Sequence, residues 1–377
     1  MTASEGSSSE SPTNTFRERL SLDAEINLSD GHARHPLNDF EEQLLGEMFS
    51  LFGHAQQSSN SDLEFDFASA FFTVTGQSLP SKFLVSYSGS SFVSVLSTLF
   101  RQNRQSVALL EPCFDNIRHL LLSGGVAVSS VSEEDVREGE RPYNNSILWI
   151  TSPNNPTGWV LGRSELDRVA RRCAERKVTL VIDCCFRFYS RDMAHWDMYQ
   201  LLNESGCSYI VLEDTGKTLP LLDLKVSMLC MSGAFEDVLS RLNEELLLCV
   251  SPVLLKFLSE VLRYYASRGL RATLWDKIER NRAVVNAYVS QYSFLIDRTQ
   301  SDAVPFSWVE IQRGGHRAAY RLAEAARTEG VHVLSGENFF WSTDEGAKYL
   351  RVALSREHSV VAEGMKRLDR VFRAFPS

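Results

Sequence analysis

Between about residues 80 and 235, five short β-rich runs alternate with helical patterns: VALLEP (107–112), SILWIT (146–151), VTLVIDC (178–184), YIVLED (209–214) and KVSMLCM (225–231). Such alternation calls for a parallel sheet, because parallel strands need crossover connections and the crossover helices cover the sheet. One crossover can be followed residue by residue. Leu166, Val169, Ala170 and Cys173 recur at i, i+3, i+4 and i+7, so one helical face is predicted to meet the sheet. Ser164 with Asp167 three residues on resembles a capping box, and Glu165, Arg168, Arg171 and Arg172 fall on the remaining, solvated faces. From about residue 250 the pattern changes to a long helical region, roughly 253–292, followed by the strand-like runs FSWVEI, GVHVL and YLRVAL. An α/β fold is therefore expected, with a large parallel-sheet domain over 41–245 and a linking helix with a smaller α/β domain over 246–377.

The formal charge is −9 and no Lys/Arg run marks a phosphate-backbone footprint, so nucleic acid is not expected as a partner. Seven cysteines show no zinc-like paired spacing and read as the reduced thiols of a cytoplasmic protein. No membrane segment is expected: the longest apolar run, Leu246 to Leu258, is broken by Pro252 and Lys256 and is shorter than the roughly 20 residues that span a bilayer. The opening MTASEGSSSESPTNT is Ser-rich and acidic, without the basic and apolar stretches of a secretory signal, and reads as a disordered tail over 1–15.

Three polar features lie just beyond the expected strands. SPNNPTG (152–158) follows SILWIT, and by itself is compatible with a simple turn, since Asn, Pro and Gly favour turns for backbone reasons. Asp183 closes VTLVID, where an unpaired carboxylate leaving an apolar strand would be costly, although many strand-end aspartates only cap helices. Lys217 lies in EDTGKTLPLLDLK (213–225), after YIVL, and a loop lysine is ordinarily just solvated. Their order along the chain gives them a joint meaning. Asn155, Asp183, Lys217 and Lys225 all fall at the carboxyl edge of one parallel sheet, where open α/β sheets bind ligands. YSGSS (87–91) precedes a helical face of Phe92, Leu96 and Leu99. A helix start carrying Gly89, Ser90 and Ser91 either is a plain cap or receives a dianion through its N–H groups, hydroxyls and dipole.

With these residues in place, the chain resembles fold-type I pyridoxal phosphate (PLP) enzymes, the aspartate aminotransferase-like class I/II aminotransferase fold, from about residue 80 onward. The resemblance implies that Lys217 carries PLP as a Schiff base and moves the substrate α-proton. It implies that Asp183 pairs with the pyridinium nitrogen and Asn155 donates to the phenolic oxygen. Gly89, Ser90, Ser91, Thr215 and Lys225 would hold the phosphate, Phe114 of EPCFDN would stack on the ring, and Cys185 would stand beside the cofactor. Arg351 in YLRVALS matches the arginine that binds the substrate α-carboxylate, a role suited to a bidentate guanidinium. A homodimer is also implied.

Two positions depart from aminotransferases: Phe186 stands where Tyr is usual, and Lys225, a point charge without a bidentate fork, stands where Arg is usual. Together with LSDGHARHPL (28–37), FDNI (114–117), EDTGK (213–217) and DLK (223–225), they make the chain similar to a narrower group, the PLP-dependent L-arginine oxidases and hydroxylases of natural-product pathways. That resemblance extends over 16–40 as an N-terminal arm above the active site. It makes His32 an acid/base group and places Glu18, Asp30 and Asp214 near the substrate guanidinium, three carboxylates around a cation. The implied reaction is oxidation of L-arginine by PLP and O2, without a metal, to 4-hydroxy-2-ketoarginine, 2-ketoarginine or both. Cys185 where Ser is expected, and HPL after Arg34 where QAL is expected, leave the partition between oxidation and hydroxylation open. The alternatives are a class I/II aminotransferase of arginine or a related amino acid, a PLP-dependent cyclase or dehydratase of hydroxyarginine, and a PLP-fold effector domain. Against the last stand the acidic balance and the fewer than 40 residues ahead of the helical segment near Asp39.

Overall fold

The computed structural model describes residues 12–139, 145–221 and 224–376. An arm leads the fold, with a helix, Asn14–Leu20, and a short strand, β1 (Ile26–Asn27). The large sheet contains β2 (Phe83–Ser86), β3 (Val107–Glu111), β4 (Val128–Ser132), β5 (Ile147–Thr151), β6 (Thr179–Asp183), β7 (Tyr209–Asp214) and β8 (Ser227–Met231), in the order β2-β8-β7-β6-β5-β3-β4. Strands β3 to β7 run parallel, while β8 is antiparallel to both β7 and β2. Both faces are buried. Val107, Leu109, Trp149, Val181 and Ile210 enter one core and Ala108, Leu110, Leu148, Leu180 and Val211 the other. Two-sided burial is why these runs are continuously apolar rather than alternating.

The crossover helix spans Arg163–Arg176 and buries Leu166, Val169, Ala170 and Cys173, as their spacing requires. Its cap differs from the expected one. Gly162 donates its N–H to Glu165 Oε2 at 3.0 Å, whereas Asp167 is drawn to Arg171 Nε at 2.9 Å, so the helix starts before Ser164 can cap it. The long helical region divides into Pro252–Arg268 and Asp276–Val289. Gly269, at φ +78°, and a π-helical turn, Arg271–Trp275, lie between them, and a positive φ is one that glycine adopts without a Cβ penalty.

The small domain holds β9 (Leu295–Asp297), β10 (Phe306–Ile311), β11 (Val331–His332), β12 (Leu334–Ser335) and β13 (Tyr349–Ala353). Four of them form an antiparallel sheet in the order β12-β13-β10-β9, and β11 pairs in parallel with β1 of the arm. The arm is thereby sewn to the small domain: Leu28 N–H donates to His332 O at 2.8 Å and Ala353 N–H to Leu28 O at 2.8 Å. Of the tail expected over 1–15, residues 1–11 lie outside the described residues. Asn14 is buried, and its N–H donates to Asp115 Oδ2 at 2.8 Å. All seven cysteines are free, and no described helix is long and apolar enough to cross a membrane.

Candidate active site

The carboxyl ends of β5, β6 and β7, the start of the helix Gly89–Gln102 and the arm enclose a cavity of about 220 Å³. Larger hollows of about 470 and 750 Å³ lie beside the arm helix and the crossover helix, but neither is lined by a lysine. Chemistry rather than size singles out the cavity at the sheet edge. Glu18, His32, Gly89, Ser90, Phe114, Asn155, Asp183, Cys185, Asp214, Lys217 and Lys225 line it, whereas Asp30, Ser91, Thr215 and Arg351 do not.

Lys217 is placed by the turn that leaves β7. Gly216 donates its N–H to Asp214 Oδ1 at 2.6 Å, and a Cβ there would lie 2.8 Å from Lys225 Cδ, so the Lys225 side chain packs over a glycine that no larger residue could replace without a shift. Tyr189 OH donates to Lys217 O at 2.8 Å and fixes its main chain. The Lys217 Nζ lies 3.1 Å from His32 Nε2. His32 Nδ1 in turn lies 2.6 Å from Asp30 Oδ1, and Asp30 Oδ2 accepts Arg34 Nε at 2.5 Å. Burial, followed by the Lys217 charge, holds the His32 pKa below the usual imidazole range, against the opposing pull of Asp30 and Glu18. The neutral ring with its proton on Nδ1 presents Nε2 to Lys217 as an acceptor. Burial would raise the Asp30 pKa, but His32, Arg356 and Arg34 outweigh it and keep this carboxyl ionised. Asp30, expected near the substrate guanidinium, has Oδ1 on His32 and Oδ2 on Arg34 in this structure.

Asp183 ends β6 beside Cys185, whose N–H donates to Asp183 Oδ1 at 3.0 Å. Burial raises the Asp183 pKa, and the nearby Asp214 adds to the rise, so a cation brought to this carboxyl would be strongly welcomed. The Cys185 thiol is pushed well above its usual range by burial and by Asp183 and Asp214, so it stays protonated. At the other end, Ser88 caps the helix Gly89–Gln102, accepting Ser91 N–H at 3.2 Å and pairing with the Ser91 hydroxyl at 2.9 Å. Asn116 Nδ2 donates to Ser90 Oγ at 2.8 Å. Thr215 donates its hydroxyl to Val226 O at 2.9 Å and accepts Val226 N–H at 3.0 Å, a staple between the two main-chain segments.

Arg351 is fully buried, 5.9 Å from the centre of the Phe114 ring and 5.4 Å from those of Phe306 and Phe339. It pairs with Glu18 and donates to Ser29 O at 2.5 Å and to Asn155 Oδ1 at 2.9 Å. The two groups expected to hold opposite ends of a substrate thus hold each other. Occupation of Asn155 Oδ1 leaves its amide nitrogen as the donor towards the cavity. Thr151 Oγ1, on the cavity wall, is buried without a hydrogen-bond partner.

An amine, a buried carboxylate at one end, a helix start with a lysine at the other, an aromatic face and an orphaned hydroxyl together fit PLP. Sequence reasoning missed Thr151, Tyr189, Asn116, Arg34 and Arg356. Thr151 ended an expected strand and could have been found; the others acquire meaning only from folded neighbours.

The family model for aminotransferase class I and II matches residues 41–368. The probable aspartate/prephenate aminotransferase of Aquifex aeolicus is 39% identical over 59 residues, 16% of this chain and 15% of that protein. The histidinol-phosphate aminotransferase of Caldicellulosiruptor saccharolyticus is 21% identical over 170 residues, 44% of this chain and 46% of that protein. The chain thus spans less than half the length of the curated relatives it matches. The structure of MppP soaked with the product 2-ketoarginine is 31% identical, covering 92% of this chain and 99% of that chain at a TM-score of 0.85. The aspartate aminotransferase from Thermus thermophilus with maleate, 16% identical, covers 96% of this chain and 97% of its own at a TM-score of 0.79, a likeness of fold alone.

Proposed function

Because the chain belongs to the aminotransferase class I and II family and is a fold-type I PLP enzyme close to MppP, we propose that it oxidises L-arginine with O2. The products are 4-hydroxy-2-ketoarginine, 2-ketoarginine or both. The observation that carries this reading is the 3.1 Å contact between His32 Nε2 and Lys217 Nζ. His32 comes from the arm, which lies ahead of the aminotransferase match at 41–368. The product soaked into MppP, 2-ketoarginine, is the keto acid that corresponds to arginine.

PLP, when bound, supplies an electron sink at the substrate Cα. Lys217 would carry it and, as a base, take the Cα proton. Asp183 and the start of the helix Gly89–Gln102, with Lys225, would hold its two ends, Phe114 would cover its face, and Asn155 would donate to its phenolic oxygen. Glu18 and Asp214, which line the cavity, receive the guanidinium, and Arg351 receives the carboxylate once Glu18 turns to the substrate. One O2 and one water convert arginine to 2-ketoarginine, ammonia and hydrogen peroxide. A second O2 and a second water, the water deprotonated by His32 as it adds at Cγ, give the hydroxylated keto acid and a second peroxide.

An anaerobic test separates this reaction from transamination. Mixing the PLP-loaded enzyme with L-arginine, then with a keto acid, should leave the cofactor free of its amine form. Rapid amine-form accumulation and amino transfer without oxygen would establish an arginine aminotransferase instead.

A further inference from the structure

His32 belongs to the segment Ile26–His32, which has only the two residues Ile26 and Asn27 in a strand, so its placement over Lys217 needs another explanation. The explanation lies beneath it. Arg356, nearly fully buried in the loop after β13, donates Nε to Asn27 O at 2.7 Å, Nη2 to Asp30 O at 2.6 Å and Nη1 to His32 O at 2.7 Å. A further bond, from Nη1 to Ser355 O at 2.9 Å, stays within its own loop. The arm therefore wraps three carbonyl groups around one guanidinium. With Ser355 O that makes four acceptors: a planar fork with five N–H groups can serve all four, and an ammonium with three donors cannot.

Arg356 is itself well fixed. Its carbonyl and that of Leu354 accept Asn281 Nδ2 at 2.9 and 2.7 Å, and Arg34 N–H donates to Ser355 O at 2.9 Å. The same loop meets the other half of the site, because Tyr189 OH, which holds Lys217 O at 2.8 Å, lies 3.4 Å from Ser355 Oγ. Ser355 and Arg356 thus join the main chain behind Lys217 to the main chain that carries His32. From Asp30 the hold passes to the imidazole: the Arg356 donors fix the Asp30 carbonyl, and its carboxylate fixes His32 Nδ1. Burial brings the Arg356 pKa down to about 10, which still leaves it a cation at neutral pH.

We infer that Arg356 is the positioning residue that sets His32 against Lys217, and through His32 governs how much of the keto acid leaves hydroxylated. The second half rests on the proposed function; the first does not.

Arg356→Met and Arg356→Lys, compared with His32→Ala and Asp30→Asn, test both halves. Hydrogen exchange is read on the protein without substrate, and keto acids are quantified by mass spectrometry with L-arginine. In Arg356→Met, exchange over 27–34 should rise by about tenfold or more, since one hydrogen bond to a charged group is worth that much, while β5 to β7 stay protected. The hydroxylated fraction should fall towards that of His32→Ala, with Arg356→Lys intermediate. Unchanged exchange over 27–34 in both Arg356 variants would overturn the positioning role. So would exchange that rises equally throughout the large sheet in both variants, which marks a support of the fold. If His32→Ala alters the products and Arg356→Met does not, control of the product fails. If His32→Ala itself leaves the products unchanged, the proposed role of His32 fails, and exchange alone decides the positioning role.

Discussion

The chemistry of the site comes down to a few side chains that burial has made unusual. A neutral His32 facing an amine is the arrangement of a base, and removal of such a group typically lowers a rate by roughly 10²- to 10⁴-fold. His32→Ala is accordingly expected to abolish the 4-hydroxy product while 2-ketoarginine continues to form, as read by mass spectrometry of the keto acids. A second histidine in the arm gives a pH-dependent stability. Burial, with Lys277 and Arg356 nearby, lowers the His35 pKa to about 3, so the folded state keeps it neutral while the unfolded chain protonates near 6.5. The unfolded state binds more protons below that value. Its contribution to stability is therefore complete above about pH 6.5 and is lost as pH falls towards 3. Between pH 7 and 5 the loss should approach about 2 kcal/mol, and His35→Leu should remove that part of the acid sensitivity, as measured by urea denaturation at both pH values.

Elements differed in how far the sequence revealed them. Strands β3, β5, β6 and β7 were legible to within a residue or two because two-sided burial makes them continuously apolar, and the turns after them fixed the site edge. The edge strand β4, VSSVS, was hidden because its exposed face is serine. Lys217, Asp183 and Asn155 could be placed because each follows a legible strand. Committed partners are not legible: nothing in the spacing shows that Thr215 staples Val226, that Asp30 serves His32, or that Glu18 meets Arg351. The arm illustrates the difference. Its helix, Asn14–Leu20, is tied down by residues more than a hundred positions away, including Asp115 at its first turn and Ser335, which accepts Arg17 Nη1 at 2.6 Å. Asp115→Ala removes the first of these, a loss of about 1 kcal/mol. Trypsin should then cut at Arg17 and Arg19 roughly fivefold faster, with no change at sites in the large domain. L-arginine, by engaging Glu18, should slow the same cuts in the unaltered protein.

For the whole molecule, the arm and the edge of the large sheet converge on one cavity, and apolar surface remains outside it. Phe49, 92% exposed, and Phe52 share the helix Met48–Ala55, surface that a second copy of the chain would cover. A homodimer is expected by light scattering, and Phe49→Glu combined with Phe52→Glu should weaken it. The proposed function differs from transamination in that oxygen, not a keto acid, would take the electrons from arginine. An oxygen electrode run with the PLP-loaded enzyme and L-arginine, followed by mass spectrometry of the keto acids, tests it most directly. Steady oxygen uptake that depends on L-arginine and Lys217, with 2-ketoarginine or 4-hydroxy-2-ketoarginine formed in step, is the expected result. An enzyme that converts L-arginine only when a keto acid is added, with the oxygen trace flat, would contradict it.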